Sequence, residues 1–126
     1  MIINLTQHPA SVDQIAAGVV DAPDRDRLAA LLTFDALPSA AEIQQRANAL
    51  ASLMVGACPS TVYDSGVVSA MIGGAPYLMA PLEASLRAIG VTPLYAFSAR
   101  ESIETAHPDG TVKKTAVFKH AGFVAA

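Results

Sequence analysis

Three short polar segments hold the side chains best suited to chemistry. The first is Asn4-Leu5-Thr6-Gln7-His8-Pro9. A histidine here suits general acid–base work, or a contact to a base or phosphate. Thr6 and Gln7 offer hydrogen bonds to a ligand. Asn4 interrupts an apolar run, where a polar group must find partners, so it either ties neighbouring loops together or faces the ligand. The second segment is Gly73-Gly74-Ala75-Pro76. Without side chains, Gly73 and Gly74 let backbone amides approach a phosphate closely at the start of a helix. The bland alternative is a tight turn that needs positive φ. The third segment is Ser98-Ala99-Arg100-Glu101-Ser102. The Arg100 guanidinium matches phosphate geometry, with an ion pair to Glu101 or Glu104 as its alternative. Ser98 and Ser102 serve as ligand hydroxyls or as simple caps. Further on, Lys113, Lys114, Lys119 and His120 cluster. They form one wall of an anion site, with Lys113 as a ligand-binding candidate, or they protect an edge strand from aggregation.

Other chemistries lack their residues. The three histidines, His8, His107 and His120, have no metal-ligand spacing, so no metal and no cofactor is expected. Cys58 is the single cysteine, which excludes an intrachain disulfide and a cysteine zinc cluster. It adjoins Pro59 with no histidine nearby and reads as an inert thiol. No GxSxG elbow is present, which argues against an α/β-hydrolase. Tyr63, Tyr77 and Tyr95 are too dispersed for a platform that stacks single-stranded nucleic acid.

The elements that position these segments follow from periodicity. Met1 to Thr6 reads as a strand, ended by Pro9. Ser11 and Gln14 have capping-box spacing, so a short helix spans Val12 to Ala17 and stops at Gly18. Val19 and Val20 form a brief second strand. Asp21 and Pro23 look like the cap and first turn of a helix that buries Leu28, Leu31 and Leu32. Phe34 to Pro38 connects it to the next. Ser39 and Glu42 form a second capping box, after which Ile43, Ala47, Leu50 and Met54 recur at helical spacing until Gly56. Cys58 to Ser65 is a loop, and Val67 to Ile72 a strand apolar on both faces, as in parallel sheets. A helix then carries Leu78, Leu82, Leu86 and Ile89 on one face up to Gly90. It is either kinked at Pro81 or begins near Ala80. Thr92 to Phe97 is another strand. Residues 102 to 119 read as a β-hairpin turning at Pro108-Asp109-Gly110. Strands alternating with helices predict a Rossmann-like α/β fold. Its mainly parallel sheet is flanked by helices and followed by the C-terminal hairpin. In such sheets ligands bind outside the carboxyl ends of the strands, which is where all three polar segments should lie.

Composition sets the remaining bounds. A chain of 126 residues suits a single domain, here 1–126. It is 52% hydrophobic and only 15% charged, against about 25% charged in ordinary soluble domains. That excess predicts apolar surface hidden in an oligomer, most simply a homodimer. The net charge of −3 gives no basic excess for gripping duplex nucleic acid. The uncharged stretch Ser65 to Leu82 has the length of a membrane span, but Gly73, Gly74, Pro76 and Pro81 interrupt it. The start of the chain lacks the features of a signal peptide, so a cytoplasmic, membrane-free protein is expected.

The opening Asn4-Leu-Thr-Gln-His-Pro9, at the end of a first strand and before a helix bearing Gln14, resembles small CRISPR-associated proteins. These are the CARF-like Rossmann proteins and related ring nucleases. The resemblance implies binding of a cyclic oligonucleotide across a two-fold dimer at the carboxyl edge of the sheet. It also implies metal-independent cleavage, in which a ribose 2′-hydroxyl attacks the adjacent phosphate. Asn4, Thr6 and His8 fall in the part that matches. The expected function is therefore binding of a nucleotide or other small phosphorylated ligand, with or without turnover. The alternative is a non-catalytic interaction protein whose apolar surface meets a protein partner.

Overall fold

Two of the shortest strands stop where a side chain takes over the backbone's hydrogen bonds. β1 (Ile2–Asn4) ends because Asn4 Oδ1 accepts from the Thr6 amide at 2.8 Å, turning the chain out of the sheet. β2 (Val19–Asp21) likewise ends at Asp21, whose carboxylate is engaged by the same loop. The computed structural model describes residues 1–57 and 68–126. The expected loop Cys58 to Ser65, with Cys58 and Tyr63, and the first residue of the Val67 strand lie outside the described residues.

Between β1 and β2 lies α1 (Val12–Ala16), closed by the capping box of Ser11 and Gln14. α2 (Arg25–Leu32) is capped by Asp24, a left-handed residue at φ 55°, and not by Asp21 as its sequence suggested. The difference is physical: Asp21 is already bound to loop 4–10. α3 (Ala40–Ala57) starts at Ser39, whose hydroxyl accepts from the Glu42 amide. Arg46 reaches from α3 to the carbonyls of Ala30, Leu31 and Thr33, satisfying the open end of α2, and lies 4.1 Å above the Phe34 ring. β3 (Ser69–Met71) leads into α4 (Pro76–Ala88). That helix begins at Pro76 and keeps Pro81 in its interior, so the alternative start near Ala80 is set aside. β4 (Thr92–Ala106) and β5 (Val112–Ala125) complete the chain.

The strands form one sheet in the order β2-β1-β3-β4-β5. The first four are parallel, and β5 runs antiparallel to β4. The α/β class and mainly parallel sheet are as expected; the hairpin is longer. It spans residues 94 to 125, not 102 to 119. Leu28 and Leu32 of α2, Leu50 and Met54 of α3, and Leu78, Leu82 and Leu86 of α4 share one core with Ile3 of β1, Ala70 of β3, and Leu5 and Ile72 just past the ends of those strands. Each fully buried leucine contributes roughly 1.5–3 kcal/mol. α1 buries no residue, so one face of the sheet carries nearly all the core. Among the described residues no helix is long and apolar enough to cross a membrane.

Candidate functional site

The loop after β1 is held by a hub of hydrogen bonds centred on Asn4. Its side chain is fully buried. Nδ2 donates to the His8 carbonyl and to Asp21 Oδ1, both at 2.8 Å. Oδ1 accepts from the Thr6 amide and the Thr6 hydroxyl. All four hydrogen-bonding positions of the amide are thus filled. Asn4 therefore positions the loop, the first of its two expected roles, and has nothing left to offer a ligand. Asp21 also accepts from the Ala10 amide at 2.9 Å. The Asn4 bond first, then the Ala10 amide, hold its carboxyl below the ordinary value despite some desolvation, with Arg25 adding attraction.

Arg25 closes the loop from the other side. Its Nη2 donates to the carbonyls of Gln7 at 3.1 Å and Thr6 at 3.4 Å. Nη1 lies 3.8 Å from Asp21 Oδ1, shut off from solvent and without a hydrogen-bond partner. Clamped this way, the loop presents the side chains of Gln7 and His8 outward, where both are exposed.

Gly73 lies against this loop. A Cβ at Gly73 would sit 3.6 Å from Thr6 Cγ2, so the turns after β1 and β3 adjoin. Gly74 has φ +148°, a backbone conformation that side chains disfavour, with Met79 and Leu32 beneath it. α4 starts directly after, with no side-chain cap on its first turn. From the junction the two connections diverge. β1 leads through α1 to β2 on one side, and β3 leads through α4 to β4 on the other. By the right-handed crossover rule those helices belong on opposite faces, which makes the carboxyl edge between β1 and β3 the switch point of the sheet, where crevices form in such folds.

The third segment is elsewhere. Ser98, Arg100 and Ser102 are not in a loop: they lie inside β4, opposite His120, Phe118 and Ala116 of β5. β3 pairs with β4 only as far as Leu94, yet β4 continues to Ala106. Arg100 is therefore about 20 Å along the strand beyond the last parallel pair, at about 3.3 Å per residue. Lys113 is farther out, opposite Thr105. The pair leaves the sheet as a two-stranded ribbon, bulged at Phe97/Ser98 and exposed along most of its length. Polar residues on both faces made its inner half look like a loop in sequence. Lys114 pairs with Glu104 at 3.5 Å across the ribbon.

Two features escaped the sequence. Arg25 and Asp21 belong to the loop hub, and their only sequence signal was an acid four residues before an arginine. A groove of about 460 Å³ also runs between α3 and α4, away from the carboxyl edge. Gln44, Asn48 and Ser85 line it and hydrogen bond to one another. It joins residues some forty positions apart, which no local spacing reveals. Among the described residues no three or more His, Cys, Asp or Glu gather to hold a metal ion.

No curated protein and no solved structure matches the chain. One family model does, over residues 1–124, and its description is uncharacterized protein MJ1673 family.

Proposed function

We propose that this chain, a protein that belongs to the MJ1673 family, binds a small phosphorylated ligand of the nucleotide class in the crevice between β1 and β3. The observation that carries it is the adjacency of Thr6 and Gly73, where two parallel strands send their connections in opposite directions. Side-chain-free backbone at Gly73 and Gly74 and the uncapped start of α4 supply anion-binding groups there, with the positive charge of the partly exposed Arg25 guanidinium beside the same loop. His8 and Gln7 stand at the rim for a base or ribose. Arg25 takes the part that the sequence suggested for Arg100.

The resemblance of Asn4 to Pro9 narrows the ligand to a cyclic oligonucleotide. Cleavage would need no metal: the ribose 2′-oxygen attacks the adjacent phosphorus, the 5′-oxygen leaves, and a 2′,3′-cyclic phosphate remains. The protein's part is to align the attack and to stabilise charge on the phosphate. His8 is the side chain placed to take or return the proton.

The test is a thermal-shift panel of mononucleotides, cyclic oligoadenylates and inorganic phosphate. A rise in Tm with a nucleotide, weakened in Arg25→Ala, is expected. No shift with any member overturns the reading. A second reading, an interaction protein, is favoured by the exposed ribbon, on which Phe97 and Phe118 are 56% and 75% accessible. A flat response to the whole panel would leave that one standing.

A further inference from the structure

Beyond Leu94, the edge of β4 that faces β3 has no partner strand among the described residues. The backbone there is poised to accept one. Ile72 N–H donates to the Leu94 carbonyl and Thr92 N–H to the Val68 carbonyl, so even-numbered residues of β4 point their polar groups to this side. By the period of two, Ser98, Arg100, Ser102, Glu104 and Ala106 present open donors and acceptors along it. A two-stranded ribbon with no covered apolar face is marginally stable alone in water.

We infer that the free edge of β4, residues 98 to 106, pairs antiparallel with the same edge of a second copy of this chain, with Ser102 opposite itself. The charge pattern selects both partner and register. With Ser102 on the two-fold axis, Arg100 faces Glu104 of the other copy, and the contact occurs twice. Centring the pair on Arg100, Glu101 or Glu104 would set like charges against each other. The chosen register also opposes Ser98 to Ala106, so every opposed even-numbered residue directs its backbone groups across the interface. On each side, the Glu104–Lys114 pair at 3.5 Å extends into a row with the incoming arginine.

The outer edge of the ribbon does not offer this. Beyond the bulge β5 carries Lys113, Lys114 and Lys119, which oppose strand addition there. The inner edge of β4 carries Arg100 and Glu104, which complement each other across the two-fold axis in this register. The two parallel sheets become one continuous sheet through the paired ribbons. The register also directs the partner's His107–Gly110 turn toward the Ile72–Gly73 turn. The pairing stands whether or not the crevice binds a nucleotide.

The experiment measures mass in solution by analytical ultracentrifugation and cross-linking by electrophoresis. The unaltered chain sediments at twice its 13.0 kDa at micromolar concentration. Arg100→Glu and Glu104→Arg each shift it toward monomer, and the double charge swap restores the dimer. In a Cys58→Ser background, Ser102→Cys forms a disulfide-linked dimer under mild oxidation, and Thr105→Cys does not. Circular dichroism confirms that each variant is folded, since these positions lie outside the core. A monomeric unaltered chain overturns the inference. So does a dimer that survives Arg100→Glu and forms no link at position 102.

Discussion

Asn4 Nδ2 donates to Asp21 Oδ1 at 2.8 Å, joining the carboxyl ends of two adjacent parallel strands through one buried amide. The same nitrogen holds the His8 carbonyl, so strand pairing and loop shape are coupled in one residue.

Replacing Asn4 by Ala should lower stability by about 2–4 kcal/mol, because it leaves buried partners without their bonds and opens a cavity. Urea denaturation measures this. A loss below half a kcal/mol would mean that the hub is not where the loop gains its shape.

Acid should weaken the same hub. Asp21 has its folded-state pKa depressed below 3.8, by Asn4 first. Its stabilising effect is therefore full above that value and is lost as pH falls through the lowered one. The carboxylate is partly exposed, so the effect is small. Stability measured from pH 5 to pH 2 should fall less steeply in Asp21→Asn than in the unaltered chain.

At the other extreme, Tyr95 donates to Glu83 at 3.0 Å, and burial with that neighbour pushes its phenol up to about 12. The raised value means that stability is intact below the ordinary pKa near 10 and declines as pH climbs from 10 towards 12. Absorbance titration should resolve one tyrosine that ionises late. Tyr95→Phe removes that step, lowers neutral-pH stability by about 1 kcal/mol, and flattens the alkaline decline.

The two glycines of the crevice should separate. Gly74→Ala forces a side chain onto φ +148° and costs about 1–3 kcal/mol. Gly73→Ala meets only ordinary contact with Thr6 Cγ2, so stability changes by less than about 0.5 kcal/mol. Nucleotide affinity in Gly73→Ala should nevertheless drop tenfold or more, read by calorimetry, because the added methyl group stands where backbone meets phosphate. Equal binding in both chains would remove the turn from the site.

Arg46 offers a test of fold without function. Arg46→Lys keeps the charge but loses the fork that reaches Ala30, Leu31 and Thr33, and the flat contact with Phe34. A loss of about 1–2 kcal/mol is expected, and thermal denaturation should show lysine rescuing little over alanine.

Much of the architecture was legible in the residues themselves. Ser11 with Gln14 marked a helix start because a capping box is local chemistry, and it formed as spaced. Leu50 and Met54, like Leu78, Leu82 and Leu86, declared their buried faces by helical period, since one core face must be apolar at 3.6-residue spacing. Pro108-Asp109-Gly110 declared its turn: Asp109 accepts from the Thr111 amide and hydroxyl, and Gly110 takes φ +86°.

What the residues alone determined was thus everything governed by neighbours a few positions away: caps, turns, helix faces and the alternation that demands a parallel sheet. Tertiary structure decided where the strands end and which loops meet. β4 runs on through Ser98 and Arg100 because β5 supplies its hydrogen bonds, and exposure on both faces had erased the apolar alternation that marks a strand. Asn4 turned inward because Asp21, seventeen residues away, was there to receive it. Such pairings depend on which distant groups the packed core brings within three ångströms of each other, and no local spacing encodes that.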